Sequence, residues 1–201
     1  MFFEDEMQFY TLFPNFAETA GISGTVKRKR MENRVDRMLE RVVGYYASCD
    51  ASQIAHTLCV HQYTRLLALG EGYDPHRIEL LETAALLHDI GCTDAKRKYG
   101  NSLPVNQQRE GARIAAEWLV HDPSLAPADA QWIVGVVGSH HNALKAAELG
   151  FETLFEADLI VNLFEGYYPV EKAPVYYRNM VRTVSGRMWF ARLFPECAGD
   201  R

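Results

Sequence analysis

From residue 31 almost to the C-terminus, apolar residues recur at spacings of three and four, the mark of helices that bury one face. Met31, Val35, Met38, Leu39, Val42 and Tyr46 form the first such stripe. Ser52 stands where an N-cap would open the next helix, which carries Ile54, Leu58, Leu66 and Leu67. Asp74-Pro75 opens a third with Ile78, Leu80, Leu81, Ala84, Ala85 and Leu86, and Gly91 follows as a candidate C-cap. Residues 92–103 are polar and read as a loop. Further helices are predicted near 105–121, from Pro127 through Val137, over 152–165, and near 172–183 and 186–194. No useful length of chain alternates with the period of a strand, and no internal repeat is visible. The expected fold is all-α, a compact single-domain bundle of about eight helices.

Residues 1–30 break the pattern. Phe2, Phe3, Phe9, Tyr10, Phe13 and Phe16 crowd the beginning, Gly21 to Gly24 follow, and Lys27-Arg28-Lys29-Arg30 form a basic run. They read as an N-terminal arm and linker ahead of a domain over residues 31–201. The aromatic side chains call for cover by the chain's own domain or a second subunit, so a homodimer is among the expected states. The basic run reads as a solvated segment before a helix.

Composition narrows the function. With 201 residues, 48% hydrophobic and 23% charged, the chain can build one core and is not disordered throughout. A net charge of −5 argues against a sequence-independent grip on long nucleic acid. Cys49, Cys59, Cys92 and Cys197 include no C-x-x-C pair, and free thiols in a reducing compartment are expected. No basic-then-apolar leader and no long apolar run is present, so a cytoplasmic protein without a membrane partner is expected.

Several polar residues sit in apolar company. Asp158 lies among Leu154, Phe155, Leu159, Ile160, Val161 and Leu163, where a carboxylate is costly unless a cation, a metal or a strong donor meets it. Asn162, one helical turn on, can orient it. His88-Asp89 ends an apolar helix, where both side chains can reach one ion, or cap the helix and face solvent. His56 shares a face with Val60 and Leu67. His61 lies about 140° further round the helix and reads as a surface or supporting residue.

The order His56, His88-Asp89, Asp158 resembles the H…HD…D pattern of the HD-domain superfamily of metal-dependent phosphohydrolases. It is carried by "AHTLCVHQYTRLLA", "AALLHDIG" and "EADLIVNL", and the resemblance spans about residues 31–195. The resemblance implies an all-α HD-type fold with His56, His88, Asp89 and Asp158 as metal ligands. It implies one divalent metal ion: such a donor set suits Mn²⁺, Fe²⁺, Co²⁺, Ni²⁺ or Zn²⁺, with Mg²⁺ admissible. The implied reaction is attack of metal-bound hydroxide on phosphorus in a small phosphorylated metabolite or nucleotide. His140 and His141 are implied on the substrate side, with Asp89 and Asp94 as further catalytic candidates. Lys96, Arg97 and Lys98 follow the central motif closely and can neutralise phosphate oxygens, or stand exposed without a role. Relatives with two metals carry a histidine in the next helix, where this chain has Gln107 and Gln108 in "NQQREGARIA". An amide is a poor transition-metal ligand, which favours one metal unless Glu110 substitutes as a ligand. Two other readings stay open: a di-iron HD-type oxygenase, and a non-catalytic module that binds a nucleotide or partner.

Overall fold

The computed structural model describes residues 33–199, so the arm and linker expected over 1–30 lie outside the described residues. The helix starts follow local chemistry. The Asn33 side chain accepts from Asp36 N and opens α1 (Arg34–Cys49). The Asp74 side chain accepts from Arg77 N, with Pro75 at the first position of α3 (Pro75–Leu87). Between them runs α2 (Gln53–Gly70), where Ser52 provides no side-chain cap. Its hydroxyl turns back to Asp50 Oδ1 at 2.5 Å.

The polar stretch after the central motif differs from expectation. Residues 92–99 form a helix, α4 (Cys92–Tyr99), ended by Gly100 in the left-handed region at φ 71°. Only Cys92 and Ala95 of this helix are buried, too few to leave a periodic signal. Gly91 precedes α4 and does not cap α3, whose C-cap is His88. Then come α5 (Pro104–Leu119), α6 (Pro127–Val137), the short α7 (Ala143–Leu149), α8 (Glu152–Phe164), α9 (Ala173–Asn179) and α10 (Val184–Leu193). The described residues therefore hold ten α-helices rather than about eight, with no strand.

The core forms where α2 packs on both α3 and α8. Residues 153–163 of α8 are buried on every side, as are Leu80 to Leu87 of α3. Leu67, Leu81, Leu154 and Ile160 are fully buried, each contributing about 1.5–3 kcal/mol. The central helices thus carry the candidate ligands into the core. A buried carboxylate ties on the C-terminal helices. Glu156 accepts from Arg182 N at 2.5 Å, Thr183 N at 3.0 Å and Thr183 Oγ1 at 2.5 Å, just ahead of α10. No cysteine is in a disulfide. No described helix is long and apolar enough to cross a membrane.

Candidate metal centre

His56 projects from α2, His88 and Asp89 from the end of α3, and Asp158 from the middle of α8. Their donor atoms converge. His56 Nε2 lies 3.2 Å from His88 Nε2, 3.4 Å from Asp158 Oδ1 and 3.7 Å from Asp89 Oδ2. His88 Nε2 lies 3.6 Å from Asp158 Oδ1 and 3.7 Å from Asp89 Oδ2. Donors held about 2.1 Å from one ion would be about 3.0 Å apart at right angles and about 3.4 Å apart in a tetrahedron. His56, His88 and Asp158 therefore fit a single first-row divalent ion with little movement, and Asp89, 3.7 Å from both imidazoles, stands beside them.

Hydrogen bonds aim these donors. His88 Nδ1 donates to Ala85 O at 2.7 Å, and a carbonyl can only accept, so Nε2 is the nitrogen left to face the cluster and carries a lone pair there whenever the ring is neutral. His56 Nδ1 lies 2.9 Å from Glu165 Oε2, which turns Nε2 inward in the same way. Asn162 Nδ2 donates to Asp158 Oδ1 at 2.8 Å. The electrostatics call for a cation. Burial works against a charged imidazole, yet the neighbouring Asp158, Asp89 and Glu165 push His56 up to about 9. Burial alone would raise both aspartates, but His88 and His140 hold Asp89, and His56 and His88 hold Asp158, well below the usual carboxylate range.

A glycine lets the next helix close over this turn. A Cβ on Gly91 would collide with Gln107 O and Gly111 N of the α5 backbone. Because α5 can press this close, Gln107 lies over Asp89, its Nε2 donating to Asp89 Oδ1 at 3.1 Å. The amide orientation is set by Cys92, whose thiol donates to Gln107 Oε1 at 3.1 Å. Burial pushes that thiol up, so it stays protonated. The amide nitrogen also faces His140 Nε2 at 3.5 Å, and it contacts His141 Nε2. Asp89, His140 and His141 could themselves hold a cation, but the Gln107 NH₂ points hydrogens into that group.

His140 and His141 lie in the turn just after α6 and not on the helix itself. His140 is buried, with Nδ1 donating to Val137 O at 2.9 Å and Nε2 3.3 Å from Asp89 Oδ1. His141 lines the site cavity; burial and the adjacent His140 lower it to about 4, so it is neutral at pH 7.

The cavity over the cluster measures about 390 Å³ and is walled by His56, Asp89, Lys96, His141, Glu165 and Tyr168 among others. Of the three cations considered after the central motif, Lys96 lines it, 3.4 Å from Asp50 Oδ2. Arg97 and Lys98 are turned away, because successive side chains diverge by about 100° on α4. Arg97 pairs with Asp94 at 2.9 Å, and Lys98 lies 2.5 Å from Glu110 Oε2. Asp94 is also outside the lining, bridged to Arg113 at 2.7 Å. Lys98 and Asp94 fasten α4 to α5, Arg97 pairs within α4, and none of the three lines the cavity. His61 points elsewhere, 3.1 Å from Glu82 Oε1. Glu165 and Cys92 were not singled out from the sequence. Glu165 is far from His56 along the chain and nothing local marks the contact. Cys92 is adjacent to the motif, but a lone thiol carries no signal.

Among known families, the one described as HD domain matches residues 54–174, a span that includes all four converging residues. No curated protein and no solved structure matches the chain.

Proposed function

Since the chain belongs to the HD domain family, which covers more than half of it, we propose that it is a metal-dependent phosphohydrolase acting on a small phosphorylated metabolite or nucleotide. Family membership points to hydrolase-type chemistry that depends on a divalent metal. The observation that carries the finer reading is the cluster of His56, His88 and Asp158, with donor atoms 3.2–3.6 Å apart and Asp89 Oδ2 3.7 Å from both imidazoles, beneath a cavity of about 390 Å³.

In this reading those residues hold one divalent ion of the Mn²⁺ to Zn²⁺ series. The ion, when bound, acidifies a water and polarises a phosphoryl oxygen. The protein supplies the rest. Lys96 reaches over the cavity and grips phosphate oxygens. His141, neutral, lies at the cavity wall beside the reacting group. His140 stands behind Asp89, with Nε2 3.3 Å from Asp89 Oδ1. The cavity size suits a small ligand, and Tyr167 and Tyr168 at its edge offer flat apolar surface.

A two-metal reading, as in an oxygenase, draws on the closeness of Asp89, His140 and His141. The Gln107 amide hydrogens directed at Asp89 and His141 weigh against it. Elemental analysis of protein purified without chelator, followed by a screen of phosphorylated metabolites with the metal found, tests the proposal. One ion per chain and turnover abolished in Asp89→Ala, with helical content retained, is the expected result. Full activity in that variant would sink the mechanism.

A further inference from the structure

A second cleft, of about 270 Å³, shares no lining residue with the cavity over the metal centre. Arg34, Arg37, Arg41, Trp118, His121 and Asp122 line it. The arginines occupy positions i, i+3 and i+7 of α1 and so stand on one face of that helix. The end of α5 and the turn after it fix their heads. Arg34 Nη2 donates to Ser124 O at 2.9 Å, Arg37 Nη2 to Ser124 Oγ at 3.1 Å and Arg41 Nη1 to Trp118 O at 3.3 Å. The Arg41 guanidinium also lies over the Trp118 ring, 4.0 Å from its centroid.

These contacts leave Arg34 only partly satisfied. Its side chain is 10% exposed, yet Nε and Nη1 have no hydrogen-bond partner among the described residues. Nε is 3.5 Å from Glu79 Oε1, an ion pair at the edge of contact. A guanidinium cannot shed its proton, so buried donors of this kind need an acceptor. Asp122 is the carboxylate in the cleft, and its Oδ1 accepts from Ser124 N at 2.9 Å and Ser124 Oγ at 2.6 Å. Against burial, those bonds and the charges of Arg37 and Arg34 hold it below the usual carboxylate range. It makes no hydrogen bond to Arg34 Nε or Nη1, and its one charge faces three guanidinium groups.

We propose that this cleft is a second ligand site, for a phosphate-type oxyanion, with Arg34 as its buried donor and Arg37 and Arg41 as flanking charge. Phosphate suits it better than a single carboxylate, because several guanidinium groups at one cleft can balance more than one negative charge. The ligand is inorganic phosphate or the phosphate group of a small metabolite. The site is independent of the metal chemistry proposed above.

The test is calorimetric titration of the full chain with inorganic phosphate at constant ionic strength. It is run in an Asp89→Asn background so that the metal centre does not contribute. Saturable binding is expected, weakened about tenfold or more by Arg34→Gln and partly restored by Arg34→Lys. Thermal melts verify folding of each variant, and Arg41→Gln takes the place of Arg34→Gln if the latter does not fold. A parallel titration with phenyl phosphate separates the sources. Tighter binding of the ester supports a phosphorylated metabolite, and tighter binding of the free ion supports inorganic phosphate. Absence of saturable binding by both probes overturns the proposal, as does binding that the arginine substitutions leave unchanged.

Discussion

Asp158 and Glu165, two turns apart on one helical segment, grip opposite nitrogens of the same imidazole. Asp158 Oδ1 lies 3.4 Å from His56 Nε2 and Glu165 Oε2 lies 2.9 Å from His56 Nδ1. A carboxylate on the outer nitrogen fixes the ring and makes the inner one a better ligand. Glu165→Leu is therefore expected to weaken divalent metal binding by about 10–100-fold. Glu165→Gln keeps an acceptor oxygen and should lose less. Competition against a chelator measures both, and unchanged affinity in the leucine variant would remove Glu165 from this role.

The pH dependence has opposite signs with and without metal. His56 is raised from its ordinary 6.5 to about 9 by the surrounding carboxylates. In chelator-treated protein its contribution to stability is complete below the unfolded value and is lost as pH rises through about 9. The amount is at most roughly 3 kcal/mol. Metal binding needs the unprotonated ring, so affinity should climb over the same interval, by up to about tenfold per pH unit. Melting temperature of the metal-free protein should fall while metal affinity rises. Parallel trends would contradict the arrangement.

Lys96 and Lys98 separate two roles that the sequence leaves merged. Lys96→Met should raise KM for a phosphorylated substrate by about tenfold with little change in kcat. Lys98→Met should leave KM unchanged and lower stability by less than about 1 kcal/mol, since its partner Glu110 is buried but the ammonium is 38% exposed. Steady-state kinetics with denaturant melts distinguish them. A KM effect confined to Lys98 would mean that α4 presents its other face to the substrate.

Gly91 and Gly135 make a matched pair. A methyl group on Gly91 meets the α5 backbone at Gln107 and Gly111, which cannot give way as a side chain could. Gly91→Ala should cost about 2–4 kcal/mol and free Gln107 from Asp89. On Gly135 the nearest atom would be Leu149 Cδ1 at 3.8 Å, an ordinary contact. Gly135→Ala should be neutral or stabilise α6 by up to about 1 kcal/mol. Denaturant midpoints decide, and equal effects would rule out the close crossing.

Much of the fold was legible because long helices with buried faces repeat apolar residues. The apolar run around Asp158 and the helix leading to His88 show this directly. The short helices were not. In α7 only Ala146 is buried, and α4 buries only Cys92 and Ala95, so neither had a stripe to read. Gly91 looked like a helix end because glycine so often is one, whereas its φ of −83° needs no glycine and the crossing of α5 does. The orientation of Lys96 against Arg97 and Lys98 depends on whether residues 92–99 are helix or loop, so that distinction was lost with α4. Glu165 with His56 and Gln107 with Cys92 are tertiary pairings, invisible until helices are packed.

Glu156 sets the practical limits of this molecule. The family match ends at residue 174, but the hydrogen-bond donors that satisfy this carboxyl group come from residues 182 and 183. Cutting the gene at the edge of the family match would leave an unsatisfied carboxyl group in the middle of the bundle, two residues from Asp158. Anyone trimming or fusing this protein should therefore treat α10 as part of its indivisible unit.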